Sequence, residues 1–385
     1  MVFCKVDDRV VYYQVTDAIT TEEGFEKHNQ GFHIVEALQI GTLDFNRGCI
    51  KFPWLPQMNS PVFIADPSLK LEQNIKDNEF SLGHIPGTQV DVVGNIENLI
   101  LYHTAILGVT GTGKTEFAFD LVRKAISQGA KVLCVDITGD YCLRLKQIGL
   151  DFTDISLSEG VCRELSEKLF GVEVGTYGAP KEKVELHAFK EKIKGEITTS
   201  LKGFLENGTN LGLLHLPAIH NTKATIHITE LYLSEVFSYA KLHRDKQKVL
   251  IVLEEAHTVI PESQTMGVTD NDSRGIISKI SQIALQGRKY GVGLLVIAQR
   301  TATVSKTILT QCNTVIAFSS FDQTGLDFLS NFYGRSYTSR IPNLQFLSAL
   351  VFGKGVKSQR PVVIALPYKQ ILPVSETNEA TVSKV

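Results

Sequence analysis

The segment Gly108-Val-Thr-Gly-Thr-Gly-Lys-Thr115 fits the pattern GxxxxGK[ST] in full. Its residue types suit one kind of chemistry. Glycines lack a Cβ, so successive backbone N–H groups can curl around phosphate oxygens. A helix opening near Gly113 adds the positive end of its dipole. In such a loop Lys114 reaches the β- and γ-phosphates of ATP, and the Thr115 hydroxyl ligates Mg²⁺. The expected nucleotide-binding set is therefore Gly108, Thr110, Gly111, Thr112, Gly113, Lys114 and Thr115. The context agrees with this, since the apolar "HTAIL" precedes the loop and the amphipathic "KTEFAFDLVRKAISQG" follows it.

A phosphate loop hydrolyses nothing without acids. "KVLIVLEEAH" ends an apolar run on Glu254 and Glu255. Phosphoryl transfer needs one acid to hold the metal and a second to orient or deprotonate the attacking water. Glu254 is assigned to the metal and Glu255 to the water. "VDITGDY" ends another apolar run on Asp136, with Asp140 after a turn. Asp136 either faces the metal's water shell or serves as a turn or cap acid. His257 either lines the site or is structural. In "GRKYGVGLLVIAQR", Arg288 precedes an apolar run and Gln299 follows it. The glutamine is placed to sense a γ-phosphate. The arginine, at the opposite end, either points toward a neighbouring subunit, where it would stabilise transition-state charge in trans, or makes a surface salt bridge.

The elements that must carry these residues alternate. "AKVLCVDITGDY", "KVLIVLEEAH" and "YGVGLLVIAQR" have buried-strand length and no polar face; "NTVIAFSS" and "ALVFGKG" are shorter. Helical stretches between them predict an α/β fold, a mostly parallel sheet covered on both faces, with a RecA-like ATPase core. The stretch "TQVDVVGNIENLILYHTAILG" reads as a strand pair leading into the glycine loop. Residues 150–210 are polar and helix-rich and read as a helical insertion. Residues 1–78 are different: short β-branched or aromatic runs between Gly, Asn and Asp predict a small N-terminal β-barrel or sheet domain, with the barrel preferred. "TTEEGFEKH" is the one stretch there with helical spacing. The ATPase domain is expected over 79–368, followed by a polar, frayed tail over 369–385.

Composition narrows the class. The 385 residues carry a net charge of −2, so no global basic field advertises nucleic acid, though one face or channel can still be basic. The six cysteines form no CxxC pair and read as reduced thiols of a cytoplasmic protein. No apolar run approaches the roughly 20 residues of a membrane helix.

The ordered set "HTAILGVTGTGKT", "VDITGDY", "LIVLEEAH", "GRKYGVGLLVIAQR" and "ILTQCNTVIAF" resembles the HerA branch of the HerA/FtsK P-loop ATPases. The likeness runs from about residue 80 to 365, and "GRKYG" followed by a strand and "QR" is its most specific part. The segment with "GFHIVEALQIGTL" is similar to the small barrel preceding the HerA motor. The resemblance implies a hexameric ring that hydrolyses ATP between subunits, moves double-stranded DNA and works with a nuclease or other effector, in DNA end processing or anti-phage defence. It implies Lys114 and Thr115 on ATP and Mg²⁺, Glu255 as catalytic acid, Arg288 as trans arginine and Gln299 as γ-phosphate sensor. Glu254 replaces a common Asp, and "AQRT" a common "SQRP".

Movement along DNA needs cations on pore loops to track phosphates. The candidates are Lys306, Arg274 within "PESQTMGVTDNDSRG", and the lysines of 181–202. A second reading therefore stands beside the motor: an ATP-regulated ring scaffold that assembles and activates an effector with little translocation.

Overall fold

A computed structural model describes residues 1–22, 31–147, 149–175, 179–216, 222–244, 246–262 and 271–367. Its centre is an eleven-stranded sheet. Seven parallel strands run in the order Thr153–Asp154, Leu211–His215, Lys131–Asp136, Val249–Leu253, Val292–Ala298, Thr104–Leu107 and Thr314–Ala317. Four antiparallel strands continue it: Ser348–Gly353, Val362–Ala365, Glu79–His84 and Asp91–Asn95.

The parallel strands lack a polar face because both faces are covered. Leu133, Val135, Ile251 and Leu253 enter one core with the helices Glu159–Val174, Pro180–Asn207, Thr222–Leu242 and Asn271–Gln286. Their alternates Val132, Cys134, Leu250 and Val252 enter the opposite core with the helices Ile96–Leu101, Lys114–Ser127 and Asp140–Gln147. The period of two along each strand thus divides one apolar run between two cores. The phosphate-loop strand Thr104–Leu107 and the next strand in the chain, Lys131–Asp136, are separated by two strands inserted from later sequence. Such a switch in strand order opens a crevice at the strand C-termini.

Two local expectations are corrected. Residues 91–107 form strand, helix and strand, not a strand pair. The Asn95 side chain accepts from Asn98 N at 2.9 Å and caps the helix Ile96–Leu101. That helix buries Ile96, Leu99 and Ile100, the i, i+3, i+4 set of one helical face. The N-terminal strands, in the order Gly48–Ile50, Gly31–Asp44, Arg9–Glu22, Val2–Val6 and Phe63–Ile64, form an open sheet among the described residues. The outer strands Gly48–Ile50 and Phe63–Ile64 do not pair with each other, as closure into a barrel requires. "TTEEGFEKH" begins as the end of Arg9–Glu22 and then leaves the described residues, as does the tail after 367.

The N-terminal sheet is tied to the later chain by specific polar contacts. The Gln14 side chain exchanges two hydrogen bonds with the backbone of Val363, at 2.7 and 3.0 Å. Arg340, largely buried, reaches Asp17 at 3.0 Å and Glu36 at 2.6 Å.

Candidate active site

The phosphate loop leaves the C-terminal end of Thr104–Leu107 and enters the helix Lys114–Ser127. Gly108, Gly111 and Gly113 all have positive φ, at 145°, 79° and 107°. At Gly108 a Cβ would stand 2.7 Å from Phe318 Cβ, so the loop needs glycine for space as well as conformation. Lys114 is buried, and its ammonium donates to the carbonyl of Val109 at 2.7 Å, within its own loop. Burial lowers its pKa, opposed by the nearby charges of Glu255 and Glu254.

Glu254 and Glu255 follow the central strand Val249–Leu253. Glu254 is 7% exposed, and its Oε2 has no hydrogen-bond partner. Burial first, then the charges of Asp136, Glu255 and Asp140, push its pKa up to about 8, with Arg144 pulling the other way. Glu255 sits at φ 46°, a left-handed conformation unusual for a residue with a side chain. A strained backbone at this point aims the carboxylate along a direction that a regular helix start would not give. Its Oε2 also lacks a hydrogen bond; His257 Nδ1 stands 3.2 Å away without completing one.

Gln299, just past the strand Val292–Ala298, joins the two halves. Its Oε1 accepts from the Thr110 hydroxyl at 2.7 Å, and its Nε2 donates to Glu255 Oε1. Phosphate loop, Gln299 and Glu255 are thus one hydrogen-bonded chain across three strand ends. They line a cavity of about 690 Å³, with Lys114, Thr115, Glu254, Glu255 and Gln299 on its polar side. Phe346, Leu347, Leu366, Phe80 and Leu82 make up much of its apolar side, and no motif in the sequence pointed to them.

Two of the sequence's site residues stand apart. Asp136 is fully buried but does not line the cavity. Its Oδ1 accepts from Gly139 N at 2.8 Å and its Oδ2 from Cys142 N at 3.1 Å. These are the contacts of a turn and cap acid for the helix Asp140–Gln147. His215, which the sequence reading passed over, places Nδ1 3.4 Å from the same Oδ2. It ends the neighbouring strand, so only the register of Leu211–His215 against Lys131–Asp136 reveals it. Arg288 lies in the single turn Gly287–Tyr290 before Val292–Ala298. That strand separates it from the cavity by roughly 20 Å at 3.3 Å per residue. Arg144, another unforeseen lining residue, pairs with Glu116 at 2.5 Å.

Three features make the site fit a divalent metal bound with a nucleotide. Thr115 lines the cavity, and Glu254 Oε2 is an orphaned buried oxygen. In the glycine cradle, a Cβ at Gly108 or Gly113 would stand 2.7 or 2.8 Å from a neighbouring side chain, and all three loop glycines have positive φ.

Residues 80–336 match the family described as "Helicase HerA, central domain". The chain is 23% identical to a probable helicase of Methanocaldococcus jannaschii, covering 86% of this chain and 76% of that one. It is 22% identical to the DNA double-strand break repair helicase HerA of Saccharolobus solfataricus, covering 77% and 72%. Among solved structures it is similar to VirB4 of Thermoanaerobacter pseudethanolicus, with a TM-score of 0.52, 15% identity and coverage of 77% and 99%. It is also similar to the bacterial conjugative coupling protein TrwB, with a TM-score of 0.50, 14% identity and coverage of 77% and 90%. These two likenesses concern the fold.

Proposed function

Because the chain belongs to the HerA helicase family of P-loop ATPases, we propose that it is a Mg²⁺-dependent ATP hydrolase whose hexameric ring moves double-stranded DNA. It works with a nuclease or other effector protein, in DNA end processing or anti-phage defence. The observation that carries the ATPase half is the chain Thr110–Gln299–Glu255, which ties the phosphate loop to the acid through the residue placed to sense the γ-phosphate.

In this reading Lys114 exchanges the Val109 carbonyl for the β- and γ-phosphates. Thr115 and Glu254 hold Mg²⁺, which supplies neutralising charge to the phosphates when bound. Glu255 accepts the proton of the attacking water. Gln299 releases or keeps Glu255 according to whether a γ-phosphate competes for its amide. Asp136 acts at one remove, by holding the start of Asp140–Gln147 and by raising the proton affinity of Glu254. Arg288, remote from its own cavity, serves the site of the next subunit. The DNA half rests on the relatives named as helicases, among them a DNA double-strand break repair helicase.

The second reading, an ATP-regulated scaffold, draws on the candidate DNA contacts. Net charge is −2, and Lys194, on the helix Pro180–Asn207, is 3.7 Å from Glu235. Lys306 and Arg274 are exposed but begin separate helices, with most of the residues before Arg274 outside those described. Steady-state ATP hydrolysis with no DNA, short duplex and long duplex decides between the two. Turnover that grows with duplex length supports the motor. Turnover that ignores DNA and responds only to the effector supports the scaffold.

A further inference from the structure

Arg288 is not alone on its face. Its guanidinium carbon lies 5.0 Å from the centre of the Tyr102 ring, and the Lys354 ammonium lies 4.6 Å from the same centre. Two cations on one ring stand no more than about 10 Å apart, on the order of a Debye length in physiological salt, so part of their mutual repulsion survives screening. Among the described residues neither has a carboxylate within ion-pair distance, and both are exposed. The ring face offsets part of that repulsion. A concentrated anion would offset the rest.

The platform is built rigidly. His103, buried and at φ 54°, bridges the helix before the Arg288 turn and the strand after it. Its Nδ1 accepts from Leu294 N at 2.9 Å, so its Nε2 carries the proton and donates to Ala284 O at 2.7 Å. Burial holds this imidazole neutral. The helix before it packs so close that a Cβ on Gly293 would stand 1.9 Å from the Ile100 carbonyl. Lys354 is fixed from the other side. Its backbone N–H donates to Asn313 O at 3.1 Å, and Asn313 N donates to Tyr102 O at 2.9 Å.

We propose that Arg288 and Lys354 form a two-cation receptor for the terminal phosphates of a nucleotide bound to a neighbouring copy of this chain, with Tyr102 as its platform and His103 as its positioning residue. The inference rests on the ATPase reading above and adds Lys354, Tyr102 and His103 to it. A terminal polyphosphate concentrates several negative charges within a few ångströms, which suits two cations on one ring. A DNA backbone presents its charges in a line and suits cations strung along a groove. The chain's own nucleotide is excluded by the length of the strand Val292–Ala298.

The test measures hydrolysis by the assembled protein. Lys354→Ala is expected to lower kcat by about 10²-fold or more with KM unchanged, as for loss of one preorganised donor to the transition state. Lys354→Arg is expected to restore most of it. His103→Gln is expected to lower kcat while nucleotide affinity is kept. The decisive arm mixes Lys354→Ala protein with Lys114→Ala protein. If Lys354 acts in trans, intact sites facing an intact Lys354 on the Lys114→Ala subunit recover turnover above the average of the two preparations. No recovery on mixing, or an unchanged kcat in Lys354→Ala, overturns the proposal while leaving the ATPase reading in place. Loss confined to the DNA-stimulated fraction would assign Lys354 to the DNA backbone and overturn it equally. Absence of turnover in the unsubstituted protein would overturn the ATPase reading itself.

Discussion

Glu255 and Glu254 are adjacent in sequence and opposite in chemistry. Glu255 is linked to Gln299 and leaves one oxygen without a hydrogen bond, the arrangement of a base that has still to meet its water. Glu255→Gln should therefore keep ATP binding and lose turnover by about 10²- to 10⁴-fold, the range for removing a general base. Fluorescent-nucleotide titration and phosphate release read the two effects separately. Lys114→Ala should lose both. Glu254 is the pH-sensitive member. Its carboxyl titrates near 8 in the folded chain against an ordinary 4.5. Between those values the folded protein holds a proton that the unfolded chain has released, so nucleotide-free stability falls as pH rises across that window. A metal-bearing nucleotide needs the carboxylate, so its binding at pH 7 should release a proton. Calorimetry in two buffers of different ionisation enthalpy measures that proton, and Glu254→Gln should abolish both the release and the stability slope.

At the scale of elements, the phosphate loop depends on the strand beside it. Gly108→Ala must fit a side chain at φ 145° against Phe318, and should destabilise the fold by about 1–3 kcal/mol, the cost of a strained backbone position. Asp136→Ala removes the oxygens that hold Gly139 N and Cys142 N, and should cost about 1–2 kcal/mol, as for loss of a helix cap. Thermal unfolding checks both. The two substitutions should differ in function, since only Gly108 belongs to the phosphate loop. What was legible in the sequence follows the same division. The parallel strands showed because burial on both faces writes itself as uninterrupted apolar runs. The glycine loop showed because its conformation admits few other residues. The helix Ile96–Leu101 was hidden because six residues hold less than two turns, too short for a period to declare itself. The open N-terminal sheet was hidden because closure depends on strand ends meeting in space. His215, Tyr102 and Lys354 were hidden because each acquires its neighbours from segments distant in the chain, which no local pattern encodes.

For the whole molecule, the long axis of the sheet strands sets the requirement for assembly. One end of Val292–Ala298 carries Gln299 at the cavity, and the other follows Arg288, so a single chain holds both halves of the proposed chemistry where they cannot meet. In the proposed trans arrangement turnover is a property of the assembly, because each site would borrow its transition-state charge from the next copy. Turnover per chain should rise with protein concentration and reach a plateau as assembly saturates, and nucleotide that bridges subunits should move that rise to lower concentration. Arg288→Ala protein should still bind ATP as separate chains, yet stay flat at a level about 10³-fold or more lower, the scale of a missing trans arginine. Sedimentation run beside the hydrolysis assay separates the two causes of low turnover. If dilution separates the copies while turnover per chain holds constant, each site is complete within its own chain, and Arg288 and the face around it belong to some other task.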